Sequence, residues 1–255
     1  MEKLSVYIVT LNEQARLPKT LAAVQQVADE IIIVDSGSTD NTCKIAESYG
    51  AKVIFHQWKN ISSQKKYAQD QCQYDLVLSL DADEVLSDRL IKEISAVKEN
   101  RMADAYKIKI ADMMPGDKKP SIFAKTYNLE RLYDKTKSTM PDDLTHDRIV
   151  LGQGVKVAQL KNVAYHYSYL TLTKTWEKYN AYTDELVRTA VATGKKYSSF
   201  RLIFEFPYQF LRYYFIRKMF LQGRFGFINA VTLAYFRFLK IAKWQEYYLM
   251  NKDKK

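Results

Sequence analysis

Four short apolar runs alternate with stretches of helical spacing in the first hundred residues of this 255-residue chain. The runs are Leu4 to Thr10, Glu30 to Asp35, Lys52 to Phe55 and Leu76 to Asp81. Short runs rich in β-branched residues indicate buried parallel strands. Strands that alternate with helices at this spacing indicate βαβ units. The sequence therefore predicts an α/β fold with a mostly parallel sheet covered by helices on both faces. In such sheets ligands bind at the carboxyl ends of the strands.

Paired acids follow the fourth run, in Ser79-Leu80-Asp81-Ala82-Asp83-Glu84. Asp81 and Asp83 are two residues apart, so both side chains point the same way if the chain stays extended. Carboxylates so placed can hold Mg²⁺ or Mn²⁺ and share the ion with a diphosphate. The alternatives are a solvated turn or a cap for the helix predicted after Ser87. Glu84 fits surface charge equally well.

Polar residues also follow the first two runs. Val34-Asp35-Ser36-Gly37-Ser38-Thr39-Asp40 ends a strand in an acid and continues with small residues, and Thr10-Leu11-Asn12-Glu13 reaches the same edge. Asp35 could accept hydrogen bonds from a base or ribose. Ser38 or Thr39 with Asp40 could instead cap the next helix. No Gly-Lys-Ser/Thr follows, so this is not a P-loop.

The second half of the chain is less regular. Strand-like pieces are predicted at residues 105–110, 129–133 and 155–160, and a helix from Leu172 to Thr193. We divide the chain into a catalytic domain, residues 1–170, and a C-terminal helical region, residues 171–255. No signal peptide is expected, because the N-terminus lacks the long apolar stretch of one. The longest uncharged apolar run, between Arg224 and Arg237, is shorter than a membrane-spanning helix needs. We therefore expect a cytoplasmic protein, and Cys43 and Cys72 as packing residues in a reducing compartment.

Basic and aromatic residues dominate the C-terminal region. No acid occurs from Phe206 to Gln245, and the chain as a whole has 39 Lys and Arg against 29 Asp and Glu, a net charge of +10. Apolar aromatic side chains with a basic rim are typical of a protein that lies on an anionic membrane surface. The alternative is helices packed on the catalytic domain with solvated cations. Nucleic acid is not expected as a partner.

Together these motifs resemble those of the family 2 inverting glycosyltransferases, which have a Rossmann-like, nucleotide-binding GT-A fold. Further segments are similar to the subgroup that adds glucose to the inner-core heptose of lipopolysaccharide. They are Ala51-Lys52-Val53, Gln64-Lys65-Lys66-Tyr67-Ala68, His146-Asp147 and His166-Tyr167-Ser168-Tyr169. The resemblance covers most of the chain. It implies transfer of a hexose from a UDP-sugar, with UDP-glucose favoured, to a lipid-linked glycan acceptor at the inner face of the cytoplasmic membrane.

The resemblance also assigns roles to residues. It implies contacts to the nucleoside from Asn12, Glu13 and Asp35, and contacts to ribose, diphosphate and metal from Asp81 and Asp83. His-Glu is usual in the subgroup, and this chain has His146-Asp147 instead. Asp147 is then the expected general base, although aspartate is one methylene shorter, with Asp142 or Asp143 as substitutes. His146 could orient its loop or contact a phosphate.

Two further residues near the site have open roles. His166 is either a ligand of the metal or diphosphate or a packing histidine, while His56 is expected to be structural. Lys65, with Gln64, could reach the donor diphosphate or belong to a solvated helix face.

Three other functions remain open at this point. They are a sugar nucleotidyltransferase, a glycoside hydrolase and a non-catalytic membrane-peripheral binding module. The first would need a glycine-rich basic signature near the N-terminus, and the second would need no nucleotide.

Overall fold

The computed structural model describes residues 1–121, 124–142, 148–169 and 171–251. The chain forms two compact units: Met1–Met113 with Ala124–Ser168, and Met114–Phe123 with Tyr169–Lys255. The assignment of catalysis to residues 1–170 and of a membrane-associated role to residues 171–255 stays a prediction.

The first unit contains the predicted alternation of strands and helices. Its elements are β1 (Leu4–Thr10), α1 (Leu17–Val24), β2 (Glu30–Asp35), α2 (Thr42–Ser48), β3 (Lys52–Phe55), α3 (Ile61–Asp70), β4 (Leu76–Asp81), β5 (Glu84–Leu86), α4 (Asp88–Glu99), β6 (Ala105–Asp112), β7 (Thr126–Asp134), β8 (Ser138–Thr139), β9 (Val150–Leu151) and β10 (Val157–His166). Strands β1 to β4 have the bounds of the four apolar runs. Ser87 caps α4, as predicted, by accepting a hydrogen bond from the backbone N–H of Leu90 at 3.3 Å.

Eight strands of the described residues form one sheet in the order β3-β2-β1-β4-β7-β6-β10-β5, with β5 and β7 running against the other six. Four inter-strand steps separate β4 from β5, roughly 19 Å in a flat sheet. Only Ala82 and Asp83 connect these two strands, and the chain from Asp81 to Glu84 can span about 11 Å at most. The sheet therefore curls until its last strand lies close to the end of β4.

Both faces of the sheet are buried. In β1, Val6 and Ile8 point to the face covered by α1 and α4, whereas Tyr7 points to the face covered by α3. Burial on both faces explains the continuous apolar runs, and it confirms the predicted α/β fold. Cys72 packs in the second of these cores, where burial raises the pKa of its thiol to about 12.

The later strands are longer than predicted. The pieces predicted at residues 105–110, 129–133 and 155–160 correspond to β6, β7 and β10. Each strand extends into polar residues, which stay in the sheet because they pair with neighbouring strands. The pairing of β10 with β6 has a register irregularity between Gln159 and Val163. The cap predicted for the second helix comes from Asp40, which accepts from the backbone N–H of Thr42 at 2.9 Å. Ser38 instead bonds to Asp35 and Asn12.

The second unit is helical. Its elements are α5 (Leu172–Ala192), α6 (Arg201–Leu211), a π-helical turn (Arg212–Ile216), a 3-10 turn (Met219–Gln222) and α7 (Gly223–Met250). Aromatic side chains join α5 to α7. Trp176 stacks on Tyr235, with ring centroids 5.3 Å apart, and Tyr179 contacts Phe236 at 4.6 Å. The aromatic residues of the tail thus serve partly as packing between helices.

The helical segment Met219–Met250 is long and apolar enough to cross a membrane, by length and composition alone. The sequence argument against a spanning segment considered only the uncharged run between Arg224 and Arg237, and this segment extends beyond both. The expectation that no segment could span was therefore too strict. A single such helix is weak evidence for a span, because core helices of soluble proteins meet the same criterion.

Asp29 is expected to make the stability of the first unit pH-dependent. Its carboxylate is 2.7 Å from Nζ of both Lys3 and Lys98 and accepts the backbone N–H of Leu4. Burial opposes ionisation, but these partners outweigh it and hold the pKa of Asp29 below its usual range. The stabilisation is therefore complete above the unfolded pKa of about 3.9 and is lost as pH falls below it. We expect Asp29→Asn to lower Tm at pH 7 and the difference from wild type to shrink progressively as pH falls from about 4 towards 2. A constant difference across this range would contradict the role of the charge.

Candidate active site

The carboxyl ends of three adjacent strands bring the predicted motifs together. Thr10 pairs in register with Asp35, and Val9 pairs with Asp81 on the other side of β1. The residues that follow β1, β2 and β4 therefore meet at one edge of the sheet, as expected for a ligand site in a parallel sheet.

Asp35 organises the loop that follows β2. Its carboxylate accepts from Thr10 Oγ1 at 2.9 Å, from the backbone N–H groups of Gly37 and Ser38 at 2.9 and 2.7 Å, and from the Ser38 hydroxyl. Burial opposes ionisation, but the Ser38 and Gly37 bonds outweigh it and lower the pKa of Asp35. Only 3% of the residue is exposed. Asp35 therefore shapes this loop, and a contact from it to a base or ribose requires one of these bonds to give way.

Asn12 connects this loop to the end of β1. It has a left-handed backbone, with φ of 56°, which asparagine tolerates better than most residues. Its side-chain Oδ1 accepts the backbone N–H of Thr39 at 2.9 Å, and its own N–H donates to Ser38 Oγ at 2.8 Å. The two loops are thus held together and present Asn12 on the exposed side.

Arg16, which the sequence argument did not identify, joins two of the predicted acids. Its Nη1 is 2.8 Å from Asp83 Oδ2, and its Nε donates to Glu13 Oε2 at 2.7 Å. Burial raises the pKa of Glu13 despite the guanidinium beside it. Arg16, which lies just before α1, thus links Glu13 to Asp83, one of the acids after β4.

Asp81 lies between two buried cations. Lys65 Nζ is 2.7 Å from Asp81 Oδ1, and Arg131 Nη2 is 3.1 Å from Asp81 Oδ2. The same Arg131 atom is 2.9 Å from Glu84 Oε1. Burial opposes the charge on Asp81, but Lys65 and Arg131 hold the pKa of its carboxyl well below the usual range. About a third of the Asp81 side chain stays exposed, so it can still meet a ligand.

Two expectations need correction at this cluster. Lys65 is 1% exposed and Gln64 is fully buried, so neither belongs to a solvated helix face. Lys65 bonds to Asp81 and supports that acid, and its contact with a diphosphate stays a prediction. Glu84 is 2% exposed and pairs with Arg131, so it is not surface charge. Burial raises the pKa of Glu84 to about 7, with the charge of Arg131 opposing it.

Asp83 faces His166, which belongs to β10, near the other end of the strand order. His166 ends β10, pairs with Glu84 of β5 and with Asp112 of β6, and is brought there by the curl. Its Nε2 is 3.5 Å from Asp83 Oδ1, and its Nδ1 is 2.7 Å from Asp112 Oδ1. Burial would lower the pKa of His166, but the bonds to Asp112 and Asp83 raise it to about 10. The imidazole is therefore positively charged and lies between two carboxylates.

No set of three or more His, Cys, Asp or Glu side chains in the described ranges is ready to hold a metal ion. Asp83 and His166 nevertheless fit two positions in the coordination of a divalent cation. Asp112 binds Nδ1 and leaves Nε2 facing Asp83, the arrangement in which a carboxylate orients a metal-binding histidine. The ion would replace the proton on Nε2, and oxygens of a diphosphate would have to complete its shell.

His56 stacks on Tyr67 with ring centroids 4.0 Å apart and bonds to Gln64, the structural role expected for it. His146 and Asp147 lie outside the described residues, as does Asp143. Asp142 is described and exposed, 4.0 Å from Lys59.

Two of the site residues that the sequence argument missed have a recognisable signal in the sequence. Arg131 is a charged residue at the centre of the predicted strand 129–133, next to Glu130, and Asp112 is an acid two residues after the predicted strand 105–110. Arg16 carries no comparable signal, since an arginine before a helix is common.

A curled, mostly parallel sheet with paired acids at its carboxyl edge defines a GT-A-type fold. The model of glycosyl transferase family 2 matches residues 5–162. An uncharacterized glycosyltransferase of Rickettsia typhi is 38% identical over 263 residues, covering 99% of this chain and 90% of that protein. The lipopolysaccharide core biosynthesis glycosyltransferase LpsC of Rhizobium meliloti is 30% identical over 254 residues, covering 94% of this chain and 91% of LpsC. This chain therefore belongs to glycosyl transferase family 2.

Among solved structures, that of S. aureus TarS 1-349 in complex with UDP-GlcNAc aligns with a TM-score of 0.48 and 16% identity. The alignment covers 98% of this chain and 92% of TarS 1-349. Family membership makes the chain a glycosyltransferase and confirms the resemblance seen in its motifs. It also disfavours the nucleotidyltransferase and hydrolase alternatives.

Proposed function

We propose that this protein transfers a hexose from a UDP-sugar, with UDP-glucose favoured, to a lipid-linked glycan such as the inner core of lipopolysaccharide. Family membership supports the reaction class, and the relative named for lipopolysaccharide core biosynthesis supports the acceptor class. The observation that carries the proposal is the placement of Asp81 and Asp83. Buried cations hold the first in place, and the second lies between Arg16 and His166.

In the proposed complex the loops after β1 and β2 bind the nucleoside through Asn12, Glu13 and the loop that Asp35 shapes. Asp81, one-third exposed, faces the ribose and diphosphate. Asp83 and His166 would hold Mg²⁺ or Mn²⁺, which supplies positive charge to the departing diphosphate. Arg16 keeps Asp83 ionised and oriented, and Lys65 and Arg131 do the same for Asp81.

Transfer is proposed to take place in one step with inversion. Asp147 would accept the proton of the acceptor hydroxyl as that oxygen attacks the anomeric carbon, and the UDP oxygen leaves from the opposite face. His146 would orient this loop or contact a phosphate of the acceptor. The proton ends on the Asp147 carboxylate and the negative charge on UDP, so charge and atoms balance.

Calorimetric titration of UDP, with and without Mn²⁺, tests the donor site. Wild type is expected to bind UDP more tightly with Mn²⁺, and Asp83→Ala is expected to lose that gain, at least tenfold in Kd, because it removes a ligand of the ion. Asp75→Ala is the matched control, since Asp75 is an exposed acid just before β4, at the opposite edge of the sheet. Absence of UDP binding by wild type under both conditions would contradict the proposed donor.

We also propose that the helical unit binds to the anionic inner face of the cytoplasmic membrane. One face of α6 and the π-helical turn carries apolar side chains that are each more than half exposed: Phe200, Phe204, Tyr208, Leu211 and Phe215. Spacings of three and four residues place them on one stripe. Arg212, Arg217 and Lys218 follow in the same segment, which suits an apolar face inserted below anionic headgroups.

Charge reversal at the end of this stripe tests the membrane contact. Arg217→Glu with Lys218→Glu is expected to reduce binding to vesicles containing phosphatidylglycerol by at least tenfold, because each cation near an anionic surface contributes about 1 kcal/mol. Lys178→Glu with Arg188→Glu, on α5, is the control with the same change in net charge. Co-sedimentation at several salt concentrations measures the effect. Equal losses in both variants would show a nonspecific charge effect and contradict the assigned surface.

A further inference from the structure

A cluster of four cations in the helical unit is separate from the candidate active site and from the apolar face of α6. It consists of Lys195, Arg201, Arg237 and Lys240, and we call it the cation cluster. Three of its members surround one aromatic ring: Lys240 Nζ, Arg201 Cζ and Lys195 Nζ lie 5.1, 5.5 and 5.7 Å from the centroid of Tyr197. Tyr197 is itself buried. Cation–π attraction acts at these distances, so the ring favours a close approach of three like charges.

The positive charge of the cation cluster exceeds its protein counter-charge. Among the described residues, the ion pairs of the cluster all go to Glu205, at 2.5 Å from Arg201 and 3.8 Å from Arg237. Glu205 is buried and also accepts a hydrogen bond from Gln209 at 3.0 Å. Four cations against one carboxylate leave three positive charges uncompensated.

Two further observations indicate that the cation cluster is short of negative charge. Arg237 Nε is buried and makes no hydrogen bond within the described residues, and its paired carboxylate, Glu205, is 3.8 Å away. Burial and the neighbouring Arg237 and Arg201 charges lower the pKa of Lys240, even though Glu205 opposes the shift. A buried donor without a hydrogen bond is rare in proteins, and a bound ion is one explanation for it. A bound anion would also reduce the mutual repulsion of these like charges.

We propose that the cation cluster is a binding site for a phosphoryl group, either a phosphate monoester or a lipid phosphate. A guanidinium presents paired donors that match phosphate oxygens, and an ammonium adds a point charge. Arg201, Arg237 and Lys240 are each partly exposed, so an anion can reach them from solvent. Glu205 holds Arg201 in position beside the anion. The proposal does not depend on sugar transfer, because none of these residues belongs to the candidate active site.

Titration of the full-length protein with inorganic phosphate tests the site. Lys240→Gln is expected to weaken phosphate binding about tenfold or more, the effect of losing one charge-assisted hydrogen bond. Lys243→Gln is the matched control: it makes the same substitution three residues later on α7. The Lys243 ammonium is already paired with Asp184 at 2.6 Å, and phosphate binding is expected to be unchanged. Arg237→Gln is a second variant, for use if Lys240→Gln fails to fold.

Vesicles of phosphatidylcholine with and without phosphatidic acid distinguish the sources of the phosphoryl group. Loss of vesicle binding in Lys240→Gln but not in Lys243→Gln, without binding of free phosphate, would support a lipid phosphate. Loss of free phosphate binding in the same pattern would support a soluble ester. Wild type should also gain more Tm from phosphate than Lys240→Gln does. If neither probe distinguishes Lys240→Gln from Lys243→Gln, the proposal is wrong, and the proposed sugar transfer is unaffected.

Discussion

Asp147→Asn is expected to lower kcat about 10³-fold while leaving the affinity for UDP unchanged. The substitution keeps the size of the side chain and removes its ability to take a proton. General-base catalysis contributes typically 10²- to 10⁴-fold, and none of that contribution is needed to bind the donor. Product formation from UDP-glucose and a lipopolysaccharide core acceptor measures kcat, and calorimetry with UDP and Mn²⁺ measures donor binding.

The neighbouring acids provide the controls for this experiment. Asp142→Asn is expected to have little effect, since Asp142 is exposed and lies 4.0 Å from Lys59. Asp143→Asn tests the other substitute. If Asp142→Asn or Asp143→Asn loses the activity while Asp147→Asn keeps it, the base is reassigned. If all three keep full activity, these acids do not supply the base. Asp147→Glu should restore much of the rate, because glutamate can take the same proton.

Local sequence patterns were sufficient to predict β1 to β4. In each of them an unbroken apolar run reflects burial on both faces, and the run ends where the strand ends. The acids at the ends of β2 and β4 were predictable for the same reason. Strand β5 was not predicted, because Glu84–Leu86 is too short to show a period. It becomes a strand only by pairing with β10, about eighty residues later in the chain.

The supporting residues of the site were the least predictable part. Gln64 and Lys65 look like a solvated helix face, because both side chains are polar. Gln64 bonds to the carbonyl of His56 in the loop before the helix, and Lys65 bonds to the carboxylate of Asp81, which is brought to it by the packing of α3 on the sheet. The link between His166 and Asp83 likewise depends on the curl of the whole sheet, which no local pattern encodes. Sequence reasoning therefore identified the acids of the site and missed Arg131 and Asp112, which hold Asp81 and His166.

The second large effect is expected at Arg131, which is 4% exposed and contacts two acids from β7. Arg131→Met would leave Glu84 buried without its cation and Asp81 with Lys65 as its remaining ion-pair partner among the described contacts. Removing one member of a buried ion-pair network typically costs 3–5 kcal/mol, because the remaining carboxyl group must either stay charged out of water or take up a proton. We expect a loss of about that size in the free energy of unfolding, measured by urea denaturation.

A second substitution should restore part of this loss. Glu84→Gln added to Arg131→Met removes the uncompensated carboxylate, so the double variant should be more stable than Arg131→Met alone. Lys137→Met is the control from the same region: the side chain of Lys137 is half exposed and pairs with Asp104, and such pairs contribute at most about 1 kcal/mol. If Arg131→Met were no less stable than Lys137→Met, Arg131 would not be the support of this site. Folded Arg131→Met should also bind UDP more weakly, because Arg131 is one of the two cations that hold Asp81 at the edge of the sheet.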